Sequence, residues 1–306
     1  MAARAAWLHY AGGFSQAEVA KRLGLNNLKA HRLISKANKE GLVKIYIDGS
    51  IGECIALETE LCARHTLQSC HVVPDIDDAD LPLRSLGIAG AQTIKLELEN
   101  KCRSIGIGHG RTLAACIDNL PHKATPDTHY VSLLGGLTRK FLASPHDVIH
   151  RLADRTSAEA YVMPVPFIAN SREDREILLG QRGISEVFEI ARSTELKLVG
   201  IGSINNEASL VSTGMVEAEE LEIVKSAGGV GEILGHFFDH AGAAVATELS
   251  ERAITLSLDD LRSSRIIAVA GGKHKTEAIH SILESHLLSG LVTDESTARA
   301  LISPPA

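Results

Sequence analysis

The sequence lacks the features of a membrane or secreted protein. No run of about eighteen apolar residues occurs, so no transmembrane helix is expected. The first thirteen residues lack the basic start and the apolar block of a secretory signal. The five cysteines are odd in number and none are spaced as C-x-x-C, which argues against a disulfide framework and a zinc ribbon. We therefore expect a soluble, cytoplasmic protein with reduced, mostly buried thiols.

The motifs of several enzyme classes are missing too. The glycine-rich turn at residues 106–112 has Arg111 where a dinucleotide fingerprint needs glycine, and no Walker Gly-Lys-Ser/Thr occurs. Ser132 and Ser203 do not lie in a nucleophile elbow. We therefore expect no catalytic residue and no cofactor.

Two histidines form the only suggestion of a metal motif. His146 and His150 make the sequence H-D-V-I-H after Ser144-Pro145, which favours a helix start and places both rings on one face. Asp147 stands where the metalloprotease motif has glutamate, and no third ligand can be named. We expect surface or cavity-lining histidines and no metal site.

Length and charge indicate two domains. The 306 residues are 44% hydrophobic, enough for one large core and a small satellite domain. Residues 1–48 carry eight Lys or Arg and three Asp or Glu, a net charge of +5, which leaves −12 of the total −7 to the remaining chain. A basic head on an acidic body is typical of a protein that contacts DNA at one end. We predict a head at residues 1–50 and a body at residues 51–306.

The head has the pattern of a helix-turn-helix. A short helix at residues 4–12 is expected to end at a glycine pair, and Ser15 with Glu18 predicts a capping box for the next helix. Gly24 suits the positive φ of a tight turn before a third helix. The inter-helix core is expected to contain Val19, Ala20, Leu23, Leu25, Ala30 and Leu33.

The third helix is expected to expose polar side chains that suit base edges and phosphates in a major groove. The alternating segment Leu42–Ile47 predicts a strand, so the head reads as a winged helix-turn-helix. The alternative is a helical dimerisation module with a solvated basic face. The DNA-binding candidates, of which Arg32 is the strongest, are Asn26, Asn27, Lys29, His31, Arg32 and Lys36.

The body alternates helical stretches with short apolar strands, the pattern of a mostly parallel α/β sheet. Ligands of such sheets bind beyond the carboxyl ends of the strands. The expected strands are Ser104–Ile107, Tyr130–Leu134, Ala160–Val162, Leu198–Ile201 and Ile266–Ala270.

Four glycine-bearing loops follow these strands, at residues 106–112, 135–140, 200–203 and 270–275. The first opens a helix expected at residues 113–120, so its backbone N–H groups would suit an anion, although a purely structural joint is the alternative. The second, with Gly135 and Gly136 before hydroxyl and cationic side chains, suits a phosphate or polyol. Lys275 in the fourth loop is expected to bring a cation to a shared cavity.

In combination these segments resemble the SorC family of bacterial sugar-binding transcriptional regulators over nearly the whole chain. The residues that carry the resemblance are 15–24 of the head, Gly106–Thr112, Gly228–Glu232 with Phe237–Asp239, the Ala270-Gly271-Gly272-x-x-Lys275 loop, and the tail Gly290–Ala298. Residues 133–139 and 145–148 look most like the erythritol-catabolism regulators within the family. Glu232 stands where some members have aspartate.

The resemblance implies an effector domain similar in fold to sugar-phosphate isomerases and deaminases, and assembly into dimers or tetramers. The expected function is that of a transcriptional regulator, acting as a repressor, of a carbohydrate or polyol catabolic operon. Its partners would be operator DNA, a small sugar, polyol or sugar phosphate, and further copies of itself, with no membrane. By position, the effector contacts would be Gly108, His109, Gly110, Arg111, Thr112, Gly135, Gly136, Leu137, Thr138, Glu232 and Lys275.

Two other functions remain open from the sequence. The α/β body would suit a sugar-phosphate isomerase or deaminase that uses Glu232 and Lys275, but no compact acid/base motif is visible. The other alternative is a protein-interaction module with a vestigial cavity. Turnover of sugar phosphates would indicate the enzyme, and absence of any ligand-induced stabilisation would indicate the interaction module.

Overall fold

The computed structural model describes residues 1–43, 51–76, 81–136, 148–205 and 209–303. The chain forms two compact units, Met1–Gly49 and Ser50–Ala306. None of the helices in these described ranges is long and apolar enough to cross a membrane.

Up to residue 43, where its described part ends, the N-terminal unit contains three helices, α1 (Ala2–Tyr10), α2 (Gln16–Leu23) and α3 (Asn27–Lys39). Its small core consists of Ala5, Val19, Ala20, Ala30 and Ile34, with Leu8, Phe14, Leu23 and Leu33 packed at the edge. Alanine at three of the five core positions allows the helix axes to approach closely. Leu25, which was expected in this core, is half-buried.

The helix ends agree with the predicted local chemistry. The Ser15 hydroxyl accepts from the Glu18 N–H, and the Glu18 carboxylate accepts from the Ser15 N–H at 2.8 Å, which completes the capping box. Gly24 ends α2 with a φ of +65°, in the left-handed region that costs glycine little. Most of the predicted wing, from Lys44 to Ile47, lies outside the described residues.

The described residues of the C-terminal unit form ten strands. They are β1 (Ser69–Val73), β2 (Ser104–Ile107), β3 (His129–Ser132), β4 (Ala160–Tyr161), β5 (Leu196–Val199), β6 (Gly202–Ser203), β7 (Gly231–Ile233), β8 (His236–Phe238), β9 (Ile266–Val269) and β10 (Gly290–Asp294). Seven form a parallel sheet in the order β1-β10-β9-β5-β2-β3-β4. The other three form a small antiparallel sheet, β6-β7-β8.

Twelve helices complete this unit within the described residues. They are α4 (Ile51–His65), α5 (Leu83–Glu99), α6 (Arg111–Asp118), α7 (Ile149–Thr156), α8 (Arg172–Leu179), α9 (Arg182–Ser193), α10 (Ser209–Ser212), α11 (Ala218–Ser226), α12 (Glu248–Arg252), α13 (Leu258–Arg262), α14 (Thr276–Glu284) and α15 (Glu295–Ile302). A 3₁₀ turn at Lys273–Lys275 precedes α14.

The inner strands β2, β5, β9 and β10 are buried at every position, because helices cover this part of the parallel sheet on both faces. In β9, Ile267 and Val269 pack with the core of α5, α6 and α7. Ile266 and Ala268 pack on the opposite face, with the core of α4, α9, α14 and α15. The predicted mostly parallel α/β fold is therefore confirmed.

Several predicted boundaries shift. The helix expected at residues 113–120 begins at Arg111, two residues earlier, and β5 begins two residues before the predicted Leu198. The helix start expected at Ser144-Pro145 lies outside the described residues, as does His146, while His150 is exposed near the start of α7. The described residues contain no group of three or more candidate metal ligands.

The five cysteines are free thiols. Cys54, Cys102 and Cys116 are buried, and the other two are half-buried. Burial raises the pKa of Cys102 to about 11 and that of Cys116 to about 12, so these two thiols stay protonated and unreactive. The prediction that most of the thiols are buried is confirmed for three of the five.

Candidate functional site

A cavity of about 390 Å³ opens at the carboxyl ends of β2 and β5. The strand order reverses between these two neighbours, because β2 leads to β3 and β4 on one side while β5, β9 and β10 lie on the other. Ligands of open α/β sheets bind at such a switch point. The loops after β2, β5 and β9 all contribute to the cavity wall.

The first wall is the turn from Gly108 to Thr112. Gly110 has a φ of +121°, a conformation that side chains resist, and directly precedes α6. The N-cap residue of α6 is Gly110, which has no side chain to cap the helix, and Gly110, Arg111 and Thr112 line the cavity, so the first backbone N–H groups of α6 are available there as donors. The half-buried Arg111 side chain adds a positive charge at the same place. This wall is suited to an anion or to ligand hydroxyl oxygens.

Lys275 supplies a second cation. Its side chain is only 9% exposed, and its ammonium donates to the Ile201 carbonyl at 2.8 Å. Burial lowers the pKa of Lys275 to about 8, and Arg111 contributes to the same shift. The lysine therefore ties the loop after β9 to the loop after β5, and its charge is sensitive to what occupies the cavity.

Glu232 is placed by the small antiparallel sheet. It lies in β7 opposite Gly202 of β6, and a Cβ on Gly202 would lie only 2.4 Å from the Glu232 carboxylate. The Gly235 N–H donates to this carboxylate at 2.7 Å. Burial raises the pKa of Glu232 to about 7, although that hydrogen bond and the charge of Lys275 oppose the shift. Near neutral pH the group can therefore accept or donate a hydrogen bond.

The remaining lining includes residues that the sequence did not single out. The Asn205 side-chain oxygen is buried and has no hydrogen-bond partner among the residues that the structure describes, so it is an acceptor available to a ligand hydroxyl. No motif marks Asn205, although it follows the glycine loop at residues 200–203. The other additions are all leucines, Leu81, Leu113, Leu134, Leu210 and Leu234, and His274 joins them from the predicted loop at residues 270–275.

Seven of the eleven predicted effector contacts line this one cavity. They are Gly108, His109, Gly110, Arg111, Thr112, Glu232 and Lys275. Gly135 and Gly136 are not among the lining residues, and Leu137 and Thr138 lie outside the described part of the chain. The Gly135 N–H donates to the Ile254 carbonyl, and a Cβ there would lie 2.2 Å from the Pro166 carbonyl oxygen. Gly135 is therefore required for close backbone packing.

A second candidate surface lies on α3, where all six predicted DNA-binding residues are exposed. Three of them already have partners. Asn26 caps α3 by accepting from the Lys29 N–H at 2.8 Å, His31 contacts the Gln16 amide, and Lys36 pairs with Glu40 at 3.5 Å. The capping role of Asn26 was not anticipated, and it leaves the Asn26 amide nitrogen for a DNA contact.

Comparison with known proteins covers both units. Residues 50–303 match the family described as "Putative sugar-binding domain". The chain is 52% identical over 306 residues to the erythritol catabolism regulatory protein EryD of Brucella abortus, over 100% of this chain and 97% of EryD. It is 32% identical over 308 residues to the transcriptional regulator LsrR of Enterobacter sp., over 99% and 93% of the two chains.

A solved structure extends the likeness. The full-length sorbitol operon regulator SorC from Klebsiella pneumoniae matches with a TM-score of 0.74 and 25% identity, over 99% of this chain and 98% of that chain. EryD, LsrR and SorC are named as regulators and not as enzymes. The chain therefore belongs to the SorC family of sugar-binding transcriptional regulators, and it is a regulator controlled by a sugar effector.

Proposed function

We propose that the cavity at the β2–β5 switch point binds a small polyol or its phosphate ester. The observation that carries this proposal is the convergence of an uncapped helix start, two cations, one carboxyl group and one orphaned amide oxygen on a cavity of about 390 Å³. That volume lies at the small end of ligand sites, about 300–1,000 Å³. A chain of neighbouring hydroxyl groups would use donors and acceptors alike.

The first compound to test is erythritol, because EryD, named for erythritol catabolism, is 52% identical to this chain. Arg111 and the amino terminus of α6 would hold a phosphate, if one is present, or the terminal hydroxyl. Glu232 and Asn205 would accept from the middle hydroxyls. Lys275 would hydrogen-bond the ligand while it keeps its bond to Ile201.

The N-terminal unit is proposed to bind operator DNA through α3. Arg32 and Asn27 would contact bases, and Lys29, His31 and Lys36 would contact phosphates, with Asn26 near the backbone at the helix start. In a dimer or tetramer, two such units would occupy half-sites about one helical turn apart. The chain would act as a cytoplasmic repressor whose effector weakens operator binding.

Titration calorimetry of the full chain tests the ligand proposal with three probes: erythritol, erythritol 4-phosphate and inorganic phosphate. Saturable binding of erythritol alone identifies a polyol site, whereas preferential binding of the ester identifies a sugar-phosphate site. Lys275→Met should lower the affinity for whichever compound binds by about tenfold or more, since it removes a buried charged donor. Lys225→Met, on the exposed face of α11, is the matched control and should bind as the wild type does. No binding of any probe, with the protein folded, would contradict the proposal.

A further inference from the structure

The turn that carries Lys275 is held by a buried network on the last helix. The Gly272 N–H donates to the Asp294 carboxylate at 2.9 Å and to the Thr297 hydroxyl at 2.8 Å. The Thr297 hydroxyl in turn donates to Asp294 at 2.7 Å. Asp294 and Thr297 are both fully buried, so water does not compete for these bonds.

This network fixes the backbone at the amino end of the turn. Gly272 has a φ of +100°, and its carbonyl accepts from the Lys275 N–H at 2.8 Å. A Cβ on Gly271 would lie 2.0 Å from the Asp294 carboxylate, which shows how closely the turn approaches. The position of the Lys275 ammonium in the cavity therefore depends on Asp294 and Thr297, neither of which lines the cavity.

The same helix contacts α4 along its length. Ala298 and Leu301 of α15 share a buried core with Cys54, Leu57 and Leu61 of α4. Arg299 of α15 pairs with Glu53 at the start of α4, and Arg64 at the other end donates to the Ile302 carbonyl at 2.6 Å. α4 is the first helix of the unit Ser50–Ala306. It is thus the element that follows the N-terminal unit along the chain.

We propose that α15 connects the effector cavity to α4, with Asp294 and Thr297 as positioning residues for Lys275. This inference rests on the proposed effector function of the cavity. Occupancy that draws Lys275 toward a ligand pulls on Gly272, and the two buried acceptors pass that displacement to the start of α15. Because α15 and α4 share a core and two polar links, α4 responds to the shift. An effector that binds the two positions of α15 unequally would thereby change DNA affinity.

The positioning role is tested at Thr297, in the full chain, by calorimetric titration of erythritol and erythritol 4-phosphate. Thr297→Val removes the hydroxyl and keeps the shape, so affinity should fall about three- to tenfold. Thr297→Ser keeps the hydroxyl and should restore affinity to within about twofold, even though it leaves a small cavity that lowers the melting temperature. Equal affinity of the valine variant and the wild type overturns the positioning role. If serine fails to restore affinity, the hydroxyl is not what matters, and the role is overturned as well.

The connection to α4 is tested by charge exchange at the Arg299–Glu53 pair. Arg299→Glu places like charges together, so the ratio of DNA affinities with and without erythritol or its phosphate should shrink toward one. Effector binding in the absence of DNA should stay within about threefold of wild type, because Arg299 is not one of the residues that line the cavity. The double variant Glu53→Arg/Arg299→Glu should recover the response. Arg182→Glu, which breaks the exposed pair with Glu186, is the control and should respond fully.

Failure of the connection through α15 can be distinguished from failure of the proposed function. A wild-type response that persists unchanged in Arg299→Glu overturns the connection through α15 and leaves the proposed function standing. A wild-type chain that binds DNA with no response to either compound overturns the proposed effectors, and the inference with them. If Arg299→Glu loses the effector response of DNA binding and the double variant does not recover it, the Arg299–Glu53 pair does not couple the cavity to α4. That result also overturns the proposed connection.

Discussion

Glu232 and Lys275 are the two buried ionisable residues of the cavity, and their pKa values converge. Burial brings the carboxyl to about 7 and the ammonium to about 8. Neither residue belongs to a short motif with a known catalytic or binding chemistry, and β7, which carries Glu232, was not predicted as a strand. The sequence suggested both residues only through the family resemblance and, for Lys275, through its glycine loop. Their burial depends on the folded surroundings, which no local pattern encodes.

A pH-dependent stability difference is expected from Glu232. Its folded-state pKa is raised, so its contribution to stability is complete below about pH 4.5 and is lost as pH rises through about 7. Glu232→Gln removes the ionisation penalty. The free energy of unfolding of the variant, relative to that of the wild type, should therefore increase by about 1 kcal/mol as the pH rises from 6 to 8.

The measurement is thermal or urea unfolding of both proteins at the two pH values. Glu222→Gln, on the exposed face of α11, is the control and should show a difference that does not change with pH. A Glu232→Gln difference that is equal at pH 6 and pH 8 would show that the carboxyl is not buried as described.

Among the elements, the parallel strands and the head helices were the easiest to predict. The glycine-punctuated apolar runs identified β2, β3, β4, β5 and β9 to within about two residues. β1 and β10 were not predicted, and neither was the antiparallel sheet β6-β7-β8. Its strands are two or three residues long, too short for any periodicity, and they exist because packing against α14 holds them.

Gly231 shows what that packing requires. A Cβ at this position would lie 2.8 Å from the Ala278 carbonyl oxygen of α14. Gly231→Ala should push β7 and Glu232 away from α14, with a loss of stability of about 1–3 kcal/mol and weaker binding of the effector probes. Gly183→Ala is the control, since nothing lies within 4 Å of its added Cβ and α9 gains helix propensity. Similar stability of the Gly231 variant and the wild type would contradict the tight β7–α14 contact.

For the whole molecule, the charge asymmetry indicates which unit contacts DNA, and the sheet topology indicates where a ligand binds. The composition already indicated a basic head and an acidic body, and the loops after parallel strands predicted where a ligand would bind. The strand order itself could not be predicted from sequence, because it depends on pairings between segments far apart along the chain, such as Ile105 with Leu196 and Ser69 with Gly290. The strand order is what identifies β2 and β5 as the switch point and brings Asn205 into the cavity wall.

Binding of the head to DNA should depend steeply on salt. With several phosphate contacts, affinity should fall about tenfold or more between 50 and 200 mM salt.

Arg32→Ala should lose about 1–3 kcal/mol of binding free energy on specific DNA and less on scrambled DNA. Arg172→Ala, an exposed arginine of α8, is the control and should bind as wild type does. Equal losses on both DNAs would assign Arg32 to phosphates instead of bases.

The most direct test of the central claim is fluorescence anisotropy of the full chain on duplex DNA from upstream of its own gene, against scrambled DNA. Each titration is run with and without erythritol, and with erythritol 4-phosphate. We predict specific binding that one of these compounds weakens several-fold, with the effect abolished by Lys275→Met. Specific binding that neither compound alters, or no preference for the upstream DNA, would contradict control of DNA binding through this cavity.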